Sequence, residues 1–207
     1  MWFTEEAGSK PDMASKQKRS IIGLTGIFGS GKSSVAAILK ERGALVIDCD
    51  ALVREIYKKY HPLQKKIARS LKLKKAKPAD IAAVVFQNRK KRRQLERLVH
   101  PYVFKRIQRI LKRSHANVIV IEMPLLLETG YEKKVDHVMV VTAPKRLIRQ
   151  RLKRKGLTAQ TMTARWRAQW PVRRKMKHAD FIIHNAGNSQ ALRQQVTKWW
   201  RDFIDQS

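Results

Sequence analysis

Five short apolar runs rich in β-branched residues punctuate the chain, at 20–25, 44–48, 117–123, 136–142 and 180–184. They are nearly continuous rather than alternating, which predicts strands buried on both faces. Between them the apolar spacing turns helical, over 33–42, 51–71, 81–114 (one helix or two) and 144–155. Strands alternating with helices predict a parallel sheet joined by right-handed crossovers. The segment 72–78 reads as a loop between helices, and 156–162 as a turn between two basic helices. No internal repeat interrupts this order.

Composition narrows the class. A chain of 207 residues, 43% of them hydrophobic, is long enough for one α/β domain with a real core and a small inserted subdomain. Cys49 is the single cysteine, so no internal disulfide forms, and no apolar run approaches the roughly 20 residues that span a bilayer. Residues 1–19 lack the apolar stretch of a signal peptide and contain acids, so a disordered leader is expected there, with Met13 as an alternative start. A reduced, soluble, cytoplasmic protein without a membrane partner is the expectation.

Charge is the outlying feature. The formal net charge is +30, and residues 1–20 contribute little of it, with four basic against three acidic side chains. Residues 53–113 hold 21 Lys and Arg against three acids, and residues 145–178 hold 13 against none. Such a field attracts ATP, a phosphorylated substrate or, nonspecifically, a nucleic acid. Solvated helix faces account for the same residues equally well.

The string Gly26-Ile27-Phe28-Gly29-Ser30-Gly31-Lys32-Ser33 matches G-x-x-x-x-G-K-[ST] in full, with a strand before it and a helix after it. Its glycines let backbone N–H groups wrap a phosphate, and the helix N-terminus adds partial positive charge. Gly29, Ser30, Gly31, Lys32, Ser33 and Ser34 are the candidate phosphate contacts, with the Ser33 hydroxyl on Mg²⁺. The second strand ends in Asp48-Cys49-Asp50, where ligand sites of open α/β sheets form. One carboxylate there can help hold hydrated Mg²⁺ while the other accepts the proton of an attacking hydroxyl. The two would share a face if the strand ran through Asp50. Either could instead cap the helix expected to open at Ala51, and Cys49 suits small apolar packing.

GLTGIFGSGKSSVA followed by VIDCDALVREIY resembles the opening of the dephospho-coenzyme A kinases. LERLVHPYV, PLLLE, VMVVTAP, GLT and ADFIIHNAG follow in order, so the resemblance spans about 20–200. It implies a P-loop nucleoside triphosphate hydrolase-like kinase fold: a five-stranded parallel sheet flanked by helices, with a helical substrate-binding insertion and a helical lid. The expected division is a core of 20–54, 115–145 and 179–207, a substrate side over 55–114 and a lid over 146–178. The implied reaction moves the γ-phosphoryl group of ATP, with Mg²⁺, to the ribose 3′-hydroxyl of dephospho-CoA. Other acceptors on the same fold, a nucleoside monophosphate or shikimate, form one alternative. An RNA-binding protein on a P-loop scaffold forms another, with Trp166, Trp170, Trp199 and Trp200 either stacking on bases or packing.

Residue by residue, the resemblance makes Asp50 the catalytic base, with Asp48 in support near the metal. His100 and Pro101 match a His-Pro pair at the start of a helix bordering the acceptor pocket, which Pro124, Leu125 and Glu128 also line. Asn185 and Gly187 match the loop that closes on the adenine. His100 is also suited to orienting a helix end, and Glu128 to anchoring a loop. Arginines of the lid are implied to stabilise the transferring phosphate. Here Gln150 stands where the family has one, flanked by Arg149 and Arg151, and Arg154 keeps its register against the following turn and is the candidate for the nucleotide. The segment after Arg54 is shorter and more basic than the family pattern. It is suited to gripping the pyrophosphate of dephospho-CoA or to presenting an RNA-binding face.

Overall fold

The computed structural model describes residues 19–205, and the side chains of Phe86 and Gln87 are not described. Apart from Arg19, the expected leader lies outside these residues. Every expected strand forms within one residue of its expected bounds: β1 Ser20–Gly26, β2 Leu45–Asp48, β3 Val118–Glu122, β4 His137–Thr142 and β5 Phe181–His184. They pair in parallel in the order β2-β3-β1-β4-β5. The register aligns Asp48 with Glu122 and Leu24 with Glu122, so the carboxyl ends of β2, β3 and β1 finish at one edge.

Alternation along the strands sends successive side chains to opposite faces. Ile22, Leu24, Val118, Val120, Met139 and Val141 face a layer built by α1 (Lys32–Glu41) and α9 (Ser189–Asp205). Ile119, Ile121, Val138 and Val140 face the other layer, where α2 (Cys49–Lys59) and α5 (Arg89–Arg113) supply Leu52, Val103 and Ile107. Both faces are covered by apolar side chains, as near-continuous hydrophobic strands require.

A helical region stands off the sheet. Leu63, Ile67 and Leu71 form an i, i+4, i+8 stripe on α3 (His61–Leu71) that packs on Ile81 and Val85 of α4 (Pro78–Gln87). The single helix expected over 51–71 is two helices, parted at Tyr60 (φ −115°, ψ 84°). Pro62 is the reason, because it is accommodated in a first turn but not in a helix interior. The 81–114 segment also divides, at Asn88, whose side chain accepts from the N–H groups of Lys90 and Lys91 and caps α5. His100 and Pro101 therefore sit inside a 25-residue helix, not at its start.

Three further helices follow β4: α6 (Lys145–Arg154), α7 (Ala159–Arg167) and α8 (Val172–Met176). Trp166, Trp170, Trp199 and Trp200 are packing residues. Trp199 stacks on Phe203 with ring centres 5.0 Å apart, Trp200 joins the same core, and the Arg174 guanidinium lies 3.4 Å from the ring centre of Trp170. Among the described residues no helix is long and apolar enough to cross a membrane.

Candidate active site

The loop between β1 and α1 wraps a small concavity at the carboxyl edge of the sheet. Gly29 (φ 84°) and Gly31 (φ 97°) occupy the left-handed region. Neither tolerates a side chain: a Cβ on Gly29 would lie 2.8 Å from Ile148, and one on Gly31 would drive into the Asn185 amide. Ser30 is fully buried, and its Oγ has no protein hydrogen-bond partner. Lys32 is buried with its Nζ donating to the carbonyls of Gly26 (3.2 Å) and Ile27 (3.3 Å). Burial lowers its pKa to about 8, against the pull of Glu122, which raises it. The ammonium is thus desolvated and poised over the loop.

Ser33 donates from Oγ to Glu122 Oε1 at 2.8 Å. Burial raises the Glu122 pKa, partly offset by the Ser33 hydrogen bond. Sequence reasoning missed this residue, although a lone carboxylate closing the otherwise apolar run VIVIE is a readable signal. Asp48 and Asp50 do not share a strand face, because β2 stops at Asp48 and α2 begins at once. Asp48 is the N-cap, accepting from Ala51 N at 2.9 Å, with Arg54 3.6 Å from its other oxygen. Asp50 turns instead into the cleft in the first turn of α2. By surface area it is exposed, yet it is crowded by the other residues that line the cleft, among them Cys49, Val53 and Pro124. That crowding, and then the Asp48 charge, raise its pKa. A carboxylate so placed can accept a proton from a hydroxyl held in the cleft.

Asp50 opens into a cleft of about 280 Å³. His100, Pro124 and Leu125 line it, together with Phe28, Arg92 and Arg165. His100 stacks on Phe104 with ring centres 5.5 Å apart, and burial lowers its pKa, which keeps the imidazole neutral. Arg165, on α7, lies over the Phe28 ring at 4.4 Å. The same helix holds the Phe28 carbonyl through Trp166 Nε1 (3.0 Å), and Gln169 just beyond accepts from the Phe28 N–H at 2.8 Å. Sequence reasoning registered Arg165 only as part of a basic run. Arg154 is exposed on the last turn of α6, and Pro101 is exposed on α5.

Asn185 and Gly187 lie on the other side of the phosphate loop. Asn185 is buried and donates from Nδ2 to the Ser30 carbonyl at 2.9 Å. Arg151 donates to Asn185 O (3.3 Å), Asn185 Oδ1 (3.2 Å) and Gly187 O (3.3 Å). The arginine beside Gln150 therefore binds α6 to the loop after β5.

Glu128 stands apart from the cleft lining. Its oxygens accept from Trp170 N (2.7 Å) and from Lys175 Nζ (3.1 Å), and the ion pair closes to 3.0 Å. Lys175 has no exposed surface, and its Nζ also reaches Pro124 O at 2.6 Å and Thr25 Oγ1 at 3.3 Å. Glu128→Gln leaves this buried ammonium without its counterion and is expected to lower unfolding stability by about 3–5 kcal/mol. Denaturant melts check this; a loss under about 1 kcal/mol would contradict the anchoring role, and Lys175→Met in the same chain recovers most of the loss.

Residues 20–191 match the family model CoaE, dephospho-CoA kinase. The dephospho-CoA kinase of Aquifex aeolicus is 34% identical over 192 residues, 88% of this chain and 96% of that protein. Among solved structures, TT1252 from Thermus thermophilus superposes with a TM-score of 0.80 at 32% identity, over 90% of this chain and 98% of that one. The dephospho-CoA kinase from Campylobacter jejuni superposes with a TM-score of 0.61 at 27% identity, over 88% and 96%. The glycine-rich loop, the aspartate at the head of α2 and the carboxylate closing β3 all fall within a match that runs nearly end to end, and the chain belongs to the dephospho-CoA kinase family.

Proposed function

We propose that the protein transfers the γ-phosphoryl group of ATP to the ribose 3′-hydroxyl of dephospho-CoA, yielding ADP and coenzyme A. The single observation that carries this reading is Asp50: a carboxylate with a raised pKa, opening into a cleft beside the phosphate loop of a chain of this family. The core is 20–54, 115–145 and 179–207, with the substrate side over 55–114 and the lid over 146–178.

The N–H groups of Gly29, Ser30, Gly31, Ser33 and Ser34 cradle the phosphates, and Lys32 contacts the β and γ groups. Asn185 and Gly187 shape the nucleotide side by fixing the loop from beneath. Asp50 takes the proton of the 3′-hydroxyl. His100, Pro124 and Leu125 wall the acceptor; Glu128 supports them by anchoring the lid and makes no substrate contact. Arg165 assumes the charge-stabilising role expected of Arg154, because its guanidinium already lies in the cleft that holds Asp50. The Ser33 hydroxyl and the Glu122 carboxylate, 2.8 Å apart, are hard oxygen donors that suit Mg²⁺. Ser33, Glu122 and Asp48 would hold the ion. When bound, the ion neutralises charge on the β- and γ-phosphate oxygens.

Phosphorus NMR of the product tests the regiochemistry. A new 3′-phosphomonoester is expected from dephospho-CoA, and none from its 3′-deoxy analogue. Phosphorylation of the 3′-deoxy analogue would contradict the assignment.

A further inference from the structure

Little of the positive charge serves the active site. Within 53–113 the three acids are Glu55, Asp80 and Glu96. Glu55 pairs with Lys59 (3.0 Å) and Arg106 (3.6 Å), and Glu96 with Arg92 (3.6 Å). The outer side of α5 carries a different set. Lys90, Arg97, Lys105, Arg109 and Lys112 are all exposed, none makes an ion pair among the described residues, and no carboxylate on α5 is exposed among them. At about 100° per residue these five fall within an arc of about 120°, turned away from the buried Val103 and Ile107. From Lys90 to Lys112 the stripe runs about 33 Å at 1.5 Å per residue. That is close to one turn of a nucleic-acid duplex, about 34–36 Å.

We infer that the outer face of α5 is a docking surface for double-stranded nucleic acid, held through its phosphates and independent of kinase chemistry. Chemistry selects this partner. A single strand is gripped by exposed aromatic platforms, but Tyr60, 41% exposed and outside α5, is the one exposed large hydrophobic side chain among the described residues. An anionic bilayer takes helices that insert an apolar face, whereas the apolar face of α5 is committed to the core through Val103 and Ile107. What remains is a row of cations with no counterion among the described residues, which matches a row of phosphates. The exposed Lys65, Lys66 and Arg69 on α3 extend the same field.

Fluorescence anisotropy with a labelled 20-base-pair DNA duplex, titrated across salt concentrations, tests this. Replacing Arg97, Lys105, Arg109 and Lys112 by Gln is expected to weaken binding at least tenfold at low salt. The slope of log affinity against log salt should fall in magnitude by about 3 to 4, near 0.9 per lost phosphate contact. Coenzyme A synthesis and the thermal melt should stay at wild-type values, since these side chains are exposed and, although on the substrate side of the chain, do not line the cleft that holds Asp50. A charge-matched control with Lys145, Arg146, Lys153 and Lys155 changed to Gln should retain most of the affinity and slope. The inference is overturned if the wild-type protein does not bind the duplex, if the control weakens binding as much as the α5 variant, or if phosphatidylserine vesicles bind and the duplex does not displace them.

Discussion

Replacing Asp50 by Asn is expected to lower kcat with dephospho-CoA by about 10² to 10⁴, the typical worth of general-base catalysis, while ATP binds as before. The amide keeps the shape and removes only the ability to take a proton. The wild-type rate should also show an acid limb that this variant lacks. The Asp50 carboxyl is held above its ordinary value by the crowding of the cleft and by the Asp48 charge. Its basic form is therefore lost as pH falls through that raised value, at a higher pH than for a free aspartate. Stopped-flow phosphoryl transfer across pH checks both points. Unchanged kinetics would transfer the base role to Asp48, whose oxygens are engaged by Ala51 N and Arg54.

Lys32→Met is expected to reduce kcat/KM by about 10² to 10³, the range seen when one preorganised electrostatic contact to developing charge is removed. The fold should survive. Met refills the volume of a side chain that is only 7% exposed, and it removes a desolvated ammonium. Because burial sets the Lys32 pKa near 8, below the ordinary 10.5, the charged form destabilises the folded state. That penalty is fully present below about pH 8 and fades as pH rises towards 10.5. A cooperative melt with near-zero turnover is the expected pair of results. Near-normal turnover would remove Lys32 from the phosphate site.

The frame of the molecule was legible because buried parallel strands write themselves as near-continuous apolar runs, and each of the five did so. The phosphate loop was legible because its constraints are local: Gly29 and Gly31 must hold positive φ and make room for Ile148 and Asn185. The division of labour between Asp48 and Asp50 was not, since it depends on the strand ending two residues earlier than face-sharing requires. The break at Tyr60 could have been read from Pro62 alone. Glu122 was readable as a lone carboxylate closing an apolar strand, but its partner, the Ser33 hydroxyl 89 positions away, was not. Glu128 and Lys175, 47 positions apart, and Arg165 with Phe28 are likewise pairings of distant segments that no local period encodes. The direction of the α5 cations, by contrast, follows from helical periodicity once the buried side is known.

The most direct measurement of the central claim is ADP release from Mg²⁺-ATP in a coupled assay, with dephospho-CoA, AMP, shikimate or no acceptor at matched salt. The account predicts turnover that depends on dephospho-CoA and is at least a hundredfold slower with the others, within the range of discrimination that contacts to a substrate's polar groups supply. ADP release that is equal without acceptor, or faster with AMP or shikimate, would contradict it.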